Sequence, residues 1–241
     1  MSFGLGLAVG SFLNVVISRL GKGESIIFGR SLCPHCRHPL GARELIPLIS
    51  YIALAGRCRF CHTHISLQYP LVELFTGLLF LMLWFRFSDS PFDFVFWLFF
   101  AASCIIIAVY DIKSNLIPSE IVWPLLVGGI AWRVMPLLAS QMQAIEIVQA
   151  FKASFLTGGF ISLLVLVTRE QGMGKGDIPV AFLQGLLLGL QKGLFALALS
   201  FIIGAALSIV LLAIKKATLK SKVPFTPFLI LSLFVVLFLE T

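Results

Sequence analysis

Long apolar segments recur along this chain, and they constrain its fold more than any other feature. Polar links separate eight such stretches, and most of them contain few or no charged residues. A helix crosses the hydrocarbon of a bilayer in about 20 residues, whereas a β-barrel would show short segments of alternating hydrophobicity. The predicted membrane spans are roughly 2–18, 71–86, 92–110, 120–139, 152–168, 178–191, 193–214 and 223–240.

Composition supports the same fold class. Of the 241 residues, 59% are hydrophobic and 12% are charged, whereas about 25% are charged in a soluble domain. We therefore expect an all-α polytopic membrane protein with about eight transmembrane helices and the lipid bilayer as its surroundings. The net charge of +7 is explained by basic links on the cytoplasmic side, so no nucleic-acid partner is expected. The sequence does not predict an oligomeric state.

The distribution of basic residues predicts the orientation of the spans. If the amino terminus lies outside, 14 of the 18 Lys and Arg residues fall in cytoplasmic segments. Short cytoplasmic links are enriched in these residues. An odd number of spans would place the basic cluster at 215–222 outside, so eight spans with both termini outside is the consistent count. The first apolar segment lacks a basic start and a cleavage site, so we interpret it as a span rather than a signal peptide.

One polar segment is too long for a simple connection. Residues 19–70 are basic and contain four of the five cysteines. The predicted organisation is a first span at 1–18, a small cytoplasmic domain at 19–70 and a seven-span core at 71–241.

The cysteines of this domain form two Cys-x-x-Cys pairs. Such pairs suit one tetrahedral metal ion held by four thiolates, and zinc is the metal that thiolates favour. Four protein ligands leave no open coordination position, so the expected ion is structural. Two disulfides are the alternative, but a cytoplasmic domain would keep its thiols reduced. The candidate ligands are Cys33, Cys36, Cys58 and Cys61, and the four histidines near them are alternative ligands.

Two carboxylates lie where apolar segments meet the cytoplasm. Asp111 ends the third span, and Asp177 follows a glycine-rich link before the sixth. The predicted topology places both at the same membrane face. A carboxylate next to hydrocarbon is costly and indicates a function. Taken singly, each aspartate is also compatible with a helix-end charge or with a proton relay.

Paired carboxylates have a defined chemistry. Two carboxyl groups a few ångströms apart share one proton because they cannot both be ionised. The ionised member then accepts a proton from water, and the protonated member donates to the carbonyl of a peptide bond. Glycines before Asp177, including Gly174 and Gly176, permit positive φ and the close approach of a substrate strand. No motif for a serine protease or an intramembrane metalloprotease is present.

At these residues the chain resembles the type IV prepilin peptidases, which are intramembrane aspartyl proteases of the GxGD type. The matching motifs are Gly10-Ser-Phe-Leu-Asn-Val-Val-Ile-Ser-Arg-Leu20, Cys33-Pro-His-Cys36, Ile46-Pro-Leu-Ile-Ser-Tyr51, Gly56-Arg-Cys-Arg-Phe-Cys61, Tyr69-Pro-Leu-Val-Glu73, Asp111-Ile-Lys-Ser-Asn-Leu-Ile-Pro118, Gly172-Met-Gly-Lys-Gly-Asp177 and Pro224-Phe-Thr-Pro-Phe228. The resemblance runs nearly from end to end.

The resemblance implies an enzyme of the bacterial inner membrane. Such enzymes remove the basic leader of type IV prepilins or of type II secretion pseudopilins at the cytoplasmic face. Many then methylate the new amino terminus with S-adenosylmethionine. Asp111 and Asp177 match the two catalytic aspartates of the family.

Glu73 is a candidate for binding the methyl donor or the substrate amine, although a helix N-terminal charge is an equal explanation. Three alternatives to the bifunctional enzyme remain at this point. They are a proton-coupled transporter that uses the aspartates as a relay, a peptidase without methyltransferase activity, and an inactive pilus-assembly protein.

Overall fold

Helices account for most of the chain in the computed structural model. It describes residues 1–22, 24–26, 28–138, 144–169, 173–216, 218, 221 and 223–239, and this part contains no β-strand. A short 3-10 helix at Ala42–Leu45 precedes the second α-helix. The α-helices are α1 (Ser2–Arg19), α2 (Ile49–Ala53), α3 (Gln68–Phe87), α4 (Pro91–Ser114), α5 (Ser119–Leu138), α6 (Ala144–Thr168), α7 (Asp177–Leu188), α8 (Leu190–Ala213) and α9 (Thr226–Phe238).

Each predicted span coincides with a helix. Among the described residues, five helices are long and apolar enough to cross a membrane, namely α1, α3, α4, α6 and α8. Helices α7 and α9 are shorter but apolar. Helix α5 carries Glu120 and two internal prolines, which lower its apolar content. The all-helical membrane fold is confirmed, as is a polar segment with clustered cysteines between the first two spans. The predicted end residues 139 and 240 lie outside the described part.

The chain divides into two structural units, Met1–Ile106 and Ile107–Thr241, and α4 continues from one into the other. The boundary predicted at residue 71 marks the end of the cysteine domain, and it stays a prediction. The helix contacts are described below for each unit separately.

In the first unit, α1 packs against α3 at very close range. A Cβ added to Gly6 would lie 2.7 Å from the Cα of Gly77, and one added to Gly10 would lie 2.7 Å from the Cα of Glu73. Small residues let helix backbones approach in this way inside a membrane. The glycines of α1 therefore allow direct backbone contact with α3.

In the second unit, α7 lies among α5, α6, α8 and α9. Two hydroxyls of α6 donate to carbonyls of α7, Ser154 to Phe182 at 2.8 Å and Thr157 to Ala181 at 2.7 Å. These bonds hold the two helices in one register. Because protein surrounds α7, this 12-residue helix is not required to span the bilayer alone.

The surrounding helices also explain why α7 contains a polar glutamine. Gln184 is fully buried, and its amide nitrogen donates to the Ser232 hydroxyl of α9 at 2.9 Å. A polar side chain at membrane depth normally faces the protein interior. Gln184 thus indicates contact with a neighbouring helix rather than an interruption of the predicted sixth span.

Candidate active site

Two helix ends supply the buried aspartates. Asp111 lies in the last turn of α4, and Asp177 is the first residue of α7. Their side chains are only 5% and 4% exposed. A carboxylate is favoured at a helix N-terminus by the helix dipole, which suits Asp177. Helix α4 ends just beyond Asp111, where Asn115 adopts a left-handed φ of 51° and donates its N–H to the Asp111 carbonyl at 2.8 Å.

The structure brings these two aspartates together with a third residue, Thr226. The Thr226 hydroxyl, at the start of α9, donates to Oδ1 of Asp177 at 2.6 Å. The Gly174 N–H donates to Oδ2 of Asp177 at 3.0 Å. Asp111 interacts electrostatically with Asp177, and the backbone N–H of Thr226 faces both carboxyl groups. Residues from three helices thus converge on one acidic pair.

The glycines before Asp177 contact Asp177 and Ile117. Glycine permits positive φ, but neither Gly174 nor Gly176 adopts it. Gly174 donates its N–H to Asp177, and Gly176 has a φ of −68°. A Cβ at Gly176 would lie 2.7 Å from Cδ1 of Ile117, so close packing explains the missing side chain. Gly172 lies outside the described residues.

Sequence reasoning missed Thr226. It lies in the motif Pro224-Phe-Thr-Pro-Phe228, which contributes to the family resemblance but predicts no site residue. A polar residue opening an otherwise apolar helix at the aspartate face was the available signal. Its contact with Asp177 depends on folding, because the two residues are 49 positions apart.

The acidic pair has the features that peptide hydrolysis by water requires. Both carboxyl groups are buried and interact electrostatically, and two neutral donors contact Asp177. A proton shared between two carboxyl groups would provide an acid and a base in one place. This arrangement can activate water without forming a covalent intermediate.

A second cluster lies in the first unit. The sulfur atoms of Cys33, Cys36, Cys58 and Cys61 all lie within 4.8 Å of one another, and each thiol is free of a disulfide bond. The sulfur atoms of Cys33 and Cys61 are 3.9 Å apart. Four thiolates about 2.3 Å from a tetrahedral zinc ion would be separated by about 3.8 Å. The four-cysteine set therefore fits a single metal ion.

The two Cys-x-x-Cys turns share one backbone geometry. The carbonyl of Cys33 accepts the N–H of Arg37, and that of Cys58 accepts the N–H of His62, both at 2.9 Å. Arg37 and His62 both have a φ of 56°. Hydrogen bonds from Thr63 lower the pKa of the Cys61 thiol to about 6, which favours the thiolate that binds metal. The alternative of two disulfides does not describe these free thiols.

Comparison with known proteins finds matches over most of the chain. Residues 5–87 match the profile described as Bacterial Peptidase A24 N-terminal domain, and residues 98–209 match that of the Type IV leader peptidase family. A prepilin leader peptidase/N-methyltransferase of Stutzerimonas stutzeri is 35% identical over 93% of this chain and 85% of its own length. The chain belongs to the type IV leader peptidase family.

Other leader peptidases agree with that assignment. Proteins with the same name from Pseudomonas aeruginosa and Aeromonas hydrophila are 33% and 32% identical, and each match covers 84% of the relative. It covers 93% and 92% of this chain, respectively. No solved structure matches the chain significantly. As a leader peptidase with several apolar helices, this is a multi-pass protein of the inner membrane.

The N-terminal region of this leader peptidase contains a further buried carboxylate. Glu73 of α3 is 8% exposed, and its Oε2 accepts the N–H of Leu48 at 2.8 Å. Leu48 has a left-handed φ of 59°, which is uncommon for a non-glycine residue. One helical turn further towards the α3 amino terminus, the Tyr69 carbonyl accepts the side-chain amide of Asn14 at 3.1 Å. Glu73 thus anchors the loop before α2 beside a polar contact between α1 and α3.

Proposed function

We propose that this chain removes the leader peptide from type IV prepilins or pseudopilins and then N-methylates the new amino terminus. The convergence of Asp111 and Asp177, two buried carboxyl groups at helix ends in a membrane protein, carries the proposal. Family membership favours this activity over a proton-coupled transporter. The four-cysteine cluster lies within residues 5–87, which match the N-terminal domain of the same family.

Asp111 and Asp177 form the proposed catalytic pair. The ionised carboxylate takes a proton from water as the water oxygen attacks the scissile carbonyl carbon. The protonated carboxyl gives its proton to the carbonyl oxygen. The resulting diol then collapses. The proton taken from water passes to the amide nitrogen as the carbon–nitrogen bond breaks, and a diol hydroxyl returns a proton to the other carboxylate, so both carboxyl groups regain their first state. The Gly174 and Thr226 donors hold Asp177 in place for this reaction.

The basic segments favour cleavage at the cytoplasmic face. In this orientation both termini are periplasmic, and the chain consists of a first span at 1–18, a cytoplasmic domain at 19–70 and a core at 71–241. Gly174 and Gly176 lie directly before Asp177, where a substrate strand would pass. The bilayer would deliver the hydrophobic helix of the prepilin.

Zinc is the proposed occupant of the cysteine cluster. Thiolate ligands favour zinc, and the observed sulfur separation fits tetrahedral coordination. Four cysteines complete the coordination shell, so the ion would stabilise the fold of the cytoplasmic domain rather than activate water. Catalysis stays with the carboxyl groups.

S-adenosylmethionine is the proposed methyl donor, and it supplies an electrophilic methyl group when bound. Glu73 is the proposed site for the positive charge of the donor or of the substrate amine. One of its oxygens holds the Leu48 N–H, and a carboxylate can accept additional donors. Glu73→Gln keeps the side-chain shape but removes the charge, so methylation should fall at least tenfold while cleavage continues. Equal loss of both activities would assign Glu73 a structural role.

The test of the peptidase uses a prepilin co-expressed with the full chain in membranes. Asp111→Asn and Asp177→Asn should each abolish leader removal as followed by mass spectrometry. Asp89→Asn, at an exposed position between α3 and α4, is the control and should process the prepilin normally. Normal cleavage by either active-site variant would refute the pair.

The same spectra separate the alternatives. A peptidase without methyltransferase activity would yield a shortened but unmethylated product. If the protein is a transporter or an inactive assembly protein, the prepilin co-expressed with the unmodified chain would keep its leader.

A further inference from the structure

The two carboxyl groups of the acidic pair have unequal surroundings. Asp177 accepts the Thr226 hydroxyl at 2.6 Å and the Gly174 N–H at 3.0 Å. Asp111 interacts electrostatically with Asp177, and the backbone N–H of Thr226 lies near both carboxyl groups. Donated hydrogen bonds stabilise the charged form of a carboxylate, and bonds to an ionised acceptor are about twice as strong as neutral ones. A single shared proton is therefore distributed unevenly.

The Thr226 hydroxyl is committed to Asp177 by its position. Within a helix, a buried threonine commonly donates to the carbonyl four residues before it, as Thr76 does to Val72 at 2.6 Å. Thr226 begins α9 and therefore has no preceding turn to accept its proton. The residue is fully buried, so bulk water does not compete for the hydroxyl.

We propose that the Thr226 hydroxyl keeps Asp177 ionised as the water-activating base and leaves the shared proton on Asp111. The inference rests on the proposed peptidase function and assigns a role to each carboxyl group. Thr226 is a positioning residue, because it acts through Asp177 rather than on the substrate.

The assignment gives a balanced reaction. Asp177 takes one proton from water while the water oxygen bonds to the scissile carbonyl carbon, and Asp111 gives its proton to the carbonyl oxygen. In the second step Asp177 returns its proton to the amide nitrogen as the carbon–nitrogen bond breaks. Asp111 recovers a proton from the diol hydroxyl. One water is consumed, and nothing is oxidised or reduced.

The part of the chain that the structure describes places other ionisable residues on the elements around Asp177. Glu120 lies in the first turn of α5. This turn is near the Asp177 end of α7, because Ile117, just before α5, lies beside Gly176. Lys175 precedes Asp177 by two residues, and Lys113 follows Asp111 by two. The remaining ionisable residues on the helices packed against α7 lie towards the other end of α7: Arg133 on α5, Glu146 and Lys152 on α6, and Lys192 on α8.

The test is the pH profile of prepilin cleavage by the full chain in membranes. Thr226→Val and Thr226→Ala remove the hydroxyl, and Thr226→Ser keeps it. Without the hydroxyl, Asp177 takes up a proton at higher pH, so the acid limb of kcat/KM should move up by about one pH unit. Thr226→Ser should retain the acid limb of the unmodified chain. Thr157→Val, which removes another fully buried threonine hydroxyl that does not contact Asp177, should leave the profile in place.

The outcomes distinguish the two levels of inference. An acid limb that is unchanged in Thr226→Val and Thr226→Ala would overturn the proposal. The same shift in Thr157→Val would also overturn it, because the effect would then reflect general loosening of the helices. Absence of cleavage by the unmodified chain would contradict the proposed function itself. Thermal unfolding in detergent checks that each variant is folded, and Thr226→Ala avoids the bulk of the second valine methyl.

Discussion

The contact between α1 and α3 makes a quantitative prediction about Gly10→Ala. The new methyl carbon would lie 2.7 Å from the Cα of Glu73, whereas nonbonded carbon atoms prefer about 3.5–4.0 Å. The obstructing atom belongs to the backbone, so no side-chain rotation relieves the clash. Restoring a carbon–carbon separation of about 3.5 Å requires the two helices to move apart by nearly an ångström.

The magnitude follows from comparison with Gly4→Ala in the same helix. Nothing lies within 4 Å of a Cβ at Gly4, so that variant keeps the helix-propensity gain of about 1 kcal/mol. Gly10→Ala has the same gain but adds the overpacking cost of about 1–3 kcal/mol. Because the propensity gain cancels, the free energies of unfolding of the two variants should differ by about 1–3 kcal/mol.

Reversible unfolding in detergent micelles measures this difference. Separation of the helices also moves Glu73, which holds the Leu48 N–H at 2.8 Å. We therefore expect methylation by Gly10→Ala to decline more than cleavage, with Gly4→Ala unchanged in both. Equal unfolding free energies for the two variants would refute the backbone contact described for α1 and α3.

Three further predictions concern the metal cluster and the second unit. Cys58→Ser removes one ligand, so elemental analysis should show bound zinc falling from about one ion per chain to almost none. The control Cys104→Ala should retain the metal. A Cys58→Ser protein that keeps its full zinc content would contradict the site. Gly176→Ala forces a methyl into an occupied space beside Asp177, so cleavage should fall about tenfold or more, the scale expected for misplaced catalytic groups. The control Gly159→Ala has open space and should cleave normally, so equal rates would refute the packing explanation. Gln184→Met removes a buried amide oxygen that has no hydrogen-bond partner, and it also removes the hydrogen bonds that the amide nitrogen donates to α9. Because these two effects offset each other, the thermal unfolding midpoint should be unchanged or higher. A fall of several degrees would show that the amide is a net stabiliser.

The membrane class and the candidate residues were readable from the sequence because each depends on local pattern. An apolar segment is a property of consecutive residues, and its transfer into lipid is decided by composition and length. The paired Cys-x-x-Cys turns are equally local, since a two-residue spacing brings both sulfurs to one ion. The position of Asp111 and Asp177 at the ends of apolar segments required only a count of spans and of basic residues.

The sequence did not report the features that long-range packing decides. It showed glycines before Asp177, but not that Gly176 is glycine because Ile117 occupies the adjacent space. It showed the polar Gln184 within an apolar segment, but not that neighbouring helices enclose this residue. These features depend on residues many positions apart, which no local pattern reports.

Local chemistry along the chain established which groups are present: apolar helices, four thiols and two aspartates at helix ends. Folding decided what surrounds those groups. Thr226 contacts Asp177 only because α9 packs against α7, and this contact makes the two aspartates unequal. Hydrogen-bond energy depends on separations of a few tenths of an ångström, and such separations between distant residues exist only once the helices have packed.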